Sequence, residues 1–179
     1  MMRITDLLKE ETIILDVRSK SKPNILKELV EQLDQAGTLN DKESFMADIL
    51  AREAQSTTGI GDGIAIPHAK SAAVKKPAIA FGRSTEGIDF ESLDGKPAHI
   101  FFMIAASDGA NNDHLEALSR LATFLMDKHF REKLLAATSK EELLTMVNER
   151  EIEEDGPNQD DEGVPQTSGK ILAVRTCSK

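Results

Sequence analysis

Residues 98–106 read AHIFFMIAA, and every residue in this stretch except His99 is apolar. A strand with one solvated face alternates apolar and polar residues, so an unbroken apolar run indicates a central strand covered on both faces. Shorter β-rich runs and runs with helical spacing surround it along the chain. Their alternation predicts an α/β fold, a single domain with a mixed, partly parallel β-sheet flanked by helices on both faces.

The same reasoning places the remaining elements. The predicted strands cover residues 12–17, 64–66, 78–82 and 98–106. The predicted helices cover residues 4–9, 23–35, 113–127, 131–137 and 140–148, with one more running from a cap at residue 40 or 41 to residue 54. Residues 55–63 are expected to form a polar loop with regularly spaced glycines.

Composition excludes several classes of protein. The chain has 179 residues, 40% of them hydrophobic, which is enough for one well-packed core. Its net charge of −9 argues against nucleic acid as a partner. The apolar run at residues 100–106 is too short to cross a membrane, and the single cysteine, Cys177, fits a reducing compartment. We therefore expect a soluble, cytoplasmic protein.

The acidic residues concentrate near the C-terminus. Residues 149–169 hold eight acids and one base, with two prolines and no apolar period, which is typical of a flexible linker. Residues 170–174, KILAV, resemble the start of a buried strand, and a lone strand cannot fold by itself. The sequence predicts a domain at 1–148, a linker at 149–169 and the beginning of a further domain at 170–179. A tail without function is the alternative.

His68 is the first chemical candidate. It follows a strand-like segment and Pro67, at the type of strand end where open α/β sheets bind ligands. Gly59, Gly61 and Gly63 precede it and would let the backbone turn tightly, with amide groups free to donate to an anion. From spacing alone, an ordinary turn with an incidental histidine is the alternative.

Two further residues fit the same chemistry. His114 falls in the first turn of a predicted helix, where the helix dipole disfavours a charged imidazole. Arg52 lies late in its helix and offers a planar fork for phosphate oxygens. The alternatives are a surface histidine near a helix cap for the first, and for the second an ordinary surface arginine that bonds to the last carbonyls of its helix. We expect His99 to be partly buried and structural, and His129 to be a solvated residue at a helix end.

The stretch 53–69, EAQSTTGIGDGIAIPHA, resembles the phosphorylation-site signature of the fructose/mannitol family of phosphotransferase-system enzyme IIA domains. The resemblance extends over residues 3–148 and is closest to the IIA part of fructose-specific permeases. It includes the segments GIDFESLDGKPAHIFFMIAA and NNDHLEALSRLA. After the acidic stretch, KILAVRTC resembles the opening strand of a IIB domain, with Cys177 at the place of its phosphorylated cysteine.

The resemblance implies a phosphotransferase that works through a phosphohistidine, without cofactor or metal ion. His68 would accept the phosphoryl group, His114 would bond to it, and Arg52 would match an active-site arginine. The phosphoryl-binding loop would comprise Thr58, Gly59, Gly61 and Gly63.

The resemblance also implies the partners. The donor would be the phosphocarrier protein HPr, and the acceptor a IIB domain on the same polypeptide. A membrane IIC domain would take part indirectly, tether the protein to a permease and move a fructose-type sugar. The alternatives are a regulatory IIA paralogue, whose phosphorylation controls binding to another protein, and a plain binding module.

Overall fold

The computed structural model of the chain describes residues 3–109 and 113–155. The helices are α1 (Ile4–Leu7), α2 (Lys22–Gln35), α3 (Lys42–Gln55), α4 (Asp113–Leu125), α5 (Lys128–Ala136) and α6 (Lys140–Asp155). The strands are β1 (Leu8–Ile14), β2 (Gly59–Gly61), β3 (Ile64–Ala65), β4 (His68–Ser71), β5 (Ala78–Ile88) and β6 (Ala98–Ser107). No helix in this part of the chain has the length and apolar character needed to span a bilayer.

The described strands form one mixed sheet of six members. Their order is β1-β5-β6-β3-β2, and β4 also pairs with β6. The pairs β1–β5, β3–β6 and β4–β6 are parallel, whereas β5–β6 and β2–β3 are antiparallel. The prediction of a mixed, partly parallel sheet is confirmed.

Strand β6 is covered on both faces, as its unbroken apolar sequence predicts. Ile100, Phe102 and Ile104 pack in a core that includes side chains of α1, α4, α5 and α6. Phe101 and Met103 point the other way, into a core that includes side chains of α2 and α3. Because successive residues of a strand face opposite sides, one apolar run supplies both cores and helices flank both faces.

Strands β3 and β4 both pair with β6 and together form one interrupted strand along it. The register Ile64↔Ile100 continues without a shift to His68↔Ile104 and to the end of β4. Pro67 lies in the gap, where it lacks an N–H to donate but its carbonyl accepts from Ile104 N at 2.9 Å. This register places His68 beside Ile104 of β6.

The predicted loop at 55–63 is wrong in its second half, because Gly59–Gly61 forms strand β2. Asp62 and Gly63 connect β2 to β3 with φ angles of 57° and 79°. Two successive left-handed residues, Asp then Gly, are the usual composition of a tight turn between antiparallel strands. Glycine has a poor propensity for strands, so the sequence alone does not indicate β2. The strand is identified by its pairing with β3.

The N-terminal elements also differ from the prediction. The first helix ends at Leu7 rather than at residue 9, and the first strand is Leu8–Ile14 rather than 12–17. Pairing with β5 already begins at Leu8, opposite Ile79. Residues 9–11 are charged and exposed, which an outer strand tolerates because it needs no apolar partner on its free side.

The predicted linker is wrong at its start, because α6 continues through residues 149–155 to Asp155. Glu151 is fully buried, and its carboxylate accepts hydrogen bonds from Ile4 N at 2.5 Å, Thr5 N at 3.2 Å and Thr5 Oγ1 at 3.0 Å. Helix α6 thus binds the first turn of α1. The rest of the predicted linker, the 170–179 segment and Cys177 lie outside the described residues.

Candidate functional site

His68 is the first residue of β4 and is half-buried. Its ring atom Nδ1 lies 2.8 Å from the carbonyl oxygen of Ile66. A carbonyl oxygen can only accept, so Nδ1 carries the hydrogen. In the neutral ring the lone pair therefore belongs to Nε2, which makes Nε2 the nucleophilic atom.

The surroundings of His68 favour its neutral form. Burial lowers the pKa of the ring below its ordinary value, and the positive charge of Arg52 adds to this lowering. The hydrogen bond to Ile66 and the negative charge of Glu53 act in the opposite direction, but the net direction is downward. A neutral imidazole is the form that can attack an electrophile.

An NMR titration of the full chain checks this direction. We expect the His68 ring to titrate with a midpoint below the ordinary 6.5, because burial disfavours the imidazolium. The ring then stays neutral down to that pH and gains its proton only below it, at which point Nε2 loses its lone pair. The same ring in the urea-unfolded chain is the reference, and a midpoint equal to or above the reference would contradict the prediction.

His114 lies in the first turn of α4, the helix that follows β6 in the chain, and is half-buried with its Nδ1 atom out of contact with solvent. The register partner of His68 is Ile104, which packs in the same core as Ala117 and Leu121 of α4. Cross-strand partners point to the same face of a sheet. Both histidines therefore belong to the face that α4 covers.

Arg52 lies in the last turn of α3 and is half-buried. Its Nη1 atom donates to the carbonyl oxygen of Ser56 at 3.0 Å, just beyond the end of the helix. Arg52 thus makes a bond of the kind that the alternative describes, to a carbonyl at the end of its own helix. Its charge also acts on the His68 ring, so the structure brings these two predicted residues together electrostatically.

The predicted phosphoryl-binding loop has its first amides occupied. Thr58 N donates to Glu53 Oε2 at 2.7 Å, and Gly59 N donates to Thr57 Oγ1 at 3.0 Å. The expectation that the Gly59 amide is free to donate to an anion is wrong. Gly61 pairs with Ile64 across the hairpin, so the glycine segment is a β-hairpin beside His68 rather than an open loop.

Two charged residues of this region were given no role from the sequence. Glu53 begins the signature stretch, and its buried carboxylate lies against Thr58. Lys22 begins α2 and pairs with that carboxylate at 3.0 Å. The acid could be found as the first residue of the signature, whereas Lys22 lies 31 positions earlier in the chain, and only the fold brings it there.

The other histidines lie where the sequence predicts. His99 is half-buried, and its Nδ1 lies 2.9 Å from the carbonyl of Ser84. His129 is exposed in the first turn of α5. Across residues 3–109 and 113–155, no group of three or more His, Cys, Asp or Glu side chains is arranged to hold a metal ion.

Comparison with known proteins identifies the family of the chain. The sequence profile described as "Phosphoenolpyruvate-dependent sugar phosphotransferase system, EIIA 2" matches residues 6–150. The chain belongs to this family. As an EIIA domain, it is a phosphotransferase component of a sugar phosphotransferase system, which confirms the family resemblance.

The EIIA domain is similar to fructose-specific proteins of the phosphotransferase system and to a nitrogen regulatory protein. It is 53% identical to the PTS system fructose-specific EIIABC component of Bacillus subtilis over 98% of this chain, but it spans only 28% of that protein. It is 41% identical to the PTS system fructose-specific EIIA component of Haloferax volcanii, over 82% of this chain and 95% of that one. The crystal structure of nitrogen regulatory protein IIA-Ntr from Neisseria meningitidis superimposes with a TM-score of 0.75 at 34% identity, over 80% and 98% of the two chains.

Proposed function

We propose that this EIIA domain carries a phosphoryl group on His68 between phospho-HPr and a IIB cysteine, in the uptake of a fructose-type sugar. The bond from phosphorus to the donor's histidine breaks as the bond to His68 Nε2 forms. In the second step the Nε2–phosphorus bond breaks as a thiolate sulfur attacks. Each step exchanges one nucleophile for another, so no cofactor or redox partner is required.

The observation that carries this proposal is the hydrogen bond between His68 Nδ1 and the carbonyl of Ile66. It fixes the orientation of the ring and leaves Nε2 as the nucleophile. After transfer to Nε2 the ring keeps its Nδ1–H, and the same carbonyl stabilises the positive charge that the ring then shares. One contact thus serves both the free and the loaded form of the histidine.

Arg52 and His114 supply the groups that a phosphoryl dianion needs. The guanidinium of Arg52 carries five N–H donors and uses Nη1 for Ser56 O, so it retains donors for phosphoryl oxygens. His114 lies at the N-terminus of α4, where the helix dipole favours an anion. Because the amides of Thr58 and Gly59 are occupied, we propose that the hairpin mainly supports the backbone before His68. Any backbone amide that donates to the phosphoryl group would then belong to Gly61 or Gly63.

The proposed sugar and the proposed partners are inferred from the proteins that are similar to this domain. The two fructose-specific proteins are 53% and 41% identical to this domain, whereas the nitrogen regulatory protein is 34% identical. The EIIABC description of the Bacillus protein supports a IIB and a IIC part as partners and a cytoplasmic domain joined to a permease. A regulatory role is the second candidate, favoured by the fold shared with the nitrogen regulatory protein.

Phosphorylation in solution tests the proposal. The full chain incubated with phosphoenolpyruvate, enzyme I and HPr should gain an acid-labile, base-stable phosphoadduct, as expected of phosphohistidine. Adding a fructose-type IIB domain should then discharge it. Loading without discharge to IIB would favour the regulatory role, and the absence of loading would overturn the carrier function.

For His114→Ala we expect loading to persist and transfer to IIB to slow by about tenfold or more, because a donor to the moving phosphoryl group is lost. Single-turnover discharge of the purified phosphoprotein measures this rate. His129→Ala, which removes an exposed histidine from another helix, is the matched control and should transfer at the wild-type rate. A wild-type rate for His114→Ala would exclude the proposed contact.

A further inference from the structure

Glu53 is a buried acid that the carrier mechanism does not use. It lies near the end of α3 and is 8% exposed. Both of its carboxylate oxygens accept hydrogen bonds from the same residue, Thr58. Oε2 accepts from Thr58 N at 2.7 Å, and Oε1 accepts from Thr58 Oγ1 at 2.6 Å. Two short bonds to a charged acceptor fix Thr58 far more firmly than a neutral contact would.

Lys22 forms an ion pair with this acid. Its Nζ atom lies 3.0 Å from Glu53 Oε2 and 3.1 Å from Glu91 Oε1, and also over the ring of Phe90. The Lys22 side chain is only 14% exposed. Removing two charges from water costs free energy that their attraction often fails to recover. Stability of the fold is therefore a weak explanation for the pair, and a positioning role is the stronger one.

A continuous path of hydrogen bonds leads from Glu53 to the imidazole. The carboxylate holds both donors of Thr58. The carbonyl of Thr58 accepts from Ile66 N at 3.0 Å. The carbonyl of Ile66 in turn accepts the proton on His68 Nδ1 at 2.8 Å. Thr58 and Ile66 are each held through the backbone N–H and each pass the contact on through the backbone carbonyl.

We propose that Glu53, paired with Lys22, is a positioning residue that fixes the Ile66 carbonyl through Thr58 and thereby selects the Nδ1–H tautomer of His68. The inference rests on the proposed function, since the tautomer matters for catalysis only if Nε2 attacks phosphorus. Without the carboxylate, Thr58 loses two of its anchors. The Ile66 carbonyl is then less well placed to hold the ring, and neutral His68 divides between its two tautomers.

The test uses the full chain with 15N-labelled histidine, and long-range proton–nitrogen spectra that distinguish the tautomers. In the wild type we expect neutral His68 to be almost wholly Nδ1–H. In Glu53→Ala a large fraction should become Nε2–H, and kcat for phosphorylation by phospho-HPr should fall by about tenfold to a hundredfold with little change in KM. Glu53→Gln keeps one acceptor for Thr58 and should recover part of both.

Glu91→Ala is the matched control. Glu91 pairs with the same lysine, but its side chain is 75% exposed and it does not bind Thr58. It should leave the tautomer and kcat unchanged. If Glu53→Ala fails to fold, Thr58→Val removes the hydroxyl bond alone and should still shift the tautomer in the same direction.

Failure of this inference is distinct from failure of the carrier function. An unchanged tautomer in folded Glu53→Ala, with normal loading of the wild type, would overturn the positioning role alone. A shifted tautomer in a protein that HPr never loads would keep the positioning role and overturn the carrier function.

Discussion

His68→Ala is expected to reduce phosphate labelling by phosphoenolpyruvate, enzyme I and HPr to background. Alanine removes the Nε2 lone pair, and no group in the proposed mechanism replaces it as the nucleophile. The effect is a loss of chemistry rather than of binding, so raising the concentration of phospho-HPr should not restore labelling. Gel autoradiography or intact-protein mass spectrometry measures it.

The control for this experiment must separate chemistry from folding. His68 is half-buried at the start of a strand, so its replacement could affect folding. The circular dichroism spectrum and thermal transition of the His68→Ala protein should therefore be compared with those of the wild type. His129→Ala should be labelled normally, because that side chain is exposed on α5. Stable labelling of a folded His68→Ala protein would end the assignment of the acceptor.

Glu151→Ala is expected to lower the free energy of unfolding by about 2–3 kcal/mol, since hydrogen bonds to a charged group contribute about 1.5–3 kcal/mol. The substitution leaves the buried Ile4 N without its acceptor and releases Thr5, so α6 loses its hold on α1. Urea denaturation of the full chain measures the change. The expected loss in melting temperature is roughly 5–10 °C for a domain of this size.

Glu149→Ala provides the comparison, because this acid lies on the same helix but is exposed. It should change the free energy of unfolding by less than about 0.5 kcal/mol. If residues 149–155 acted as a flexible linker, both substitutions would be equally silent. Equal effects would therefore contradict the packing of α6 on α1.

The sequence was most informative where one physical cause dominates. The apolar run at 98–106 predicts a doubly covered strand because only burial on both faces explains it. Helix α2 was predicted within one residue, since Pro23 in its first turn and Gly37 after its end mark its limits. His68 was predicted to follow the end of a strand, which holds for β3, but the sequence did not predict β4, of which His68 is the first residue.

Where tertiary contacts decide, the sequence was less informative. Residues 149–155, EREIEED, have the composition of a solvated linker and equally of an exposed helix, and only the contact of Glu151 with α1 distinguishes them. Strand β4 exists because it continues the register of β3 along β6. The anchoring of Thr58 depends on the position where α3 ends, which no local pattern specifies.

The unbroken register of β3 and β4 along β6 bears on how the carrier turns over. His68 lies on a row with Ile104 and Ile79, whose side chains are buried in the core. Because core strands open only together with much of the fold, we expect the backbone that carries His68 to keep its place on loading and on discharge. The carrier would then turn over without an internal opening or closing step, and we expect encounter with its partners to limit its rate.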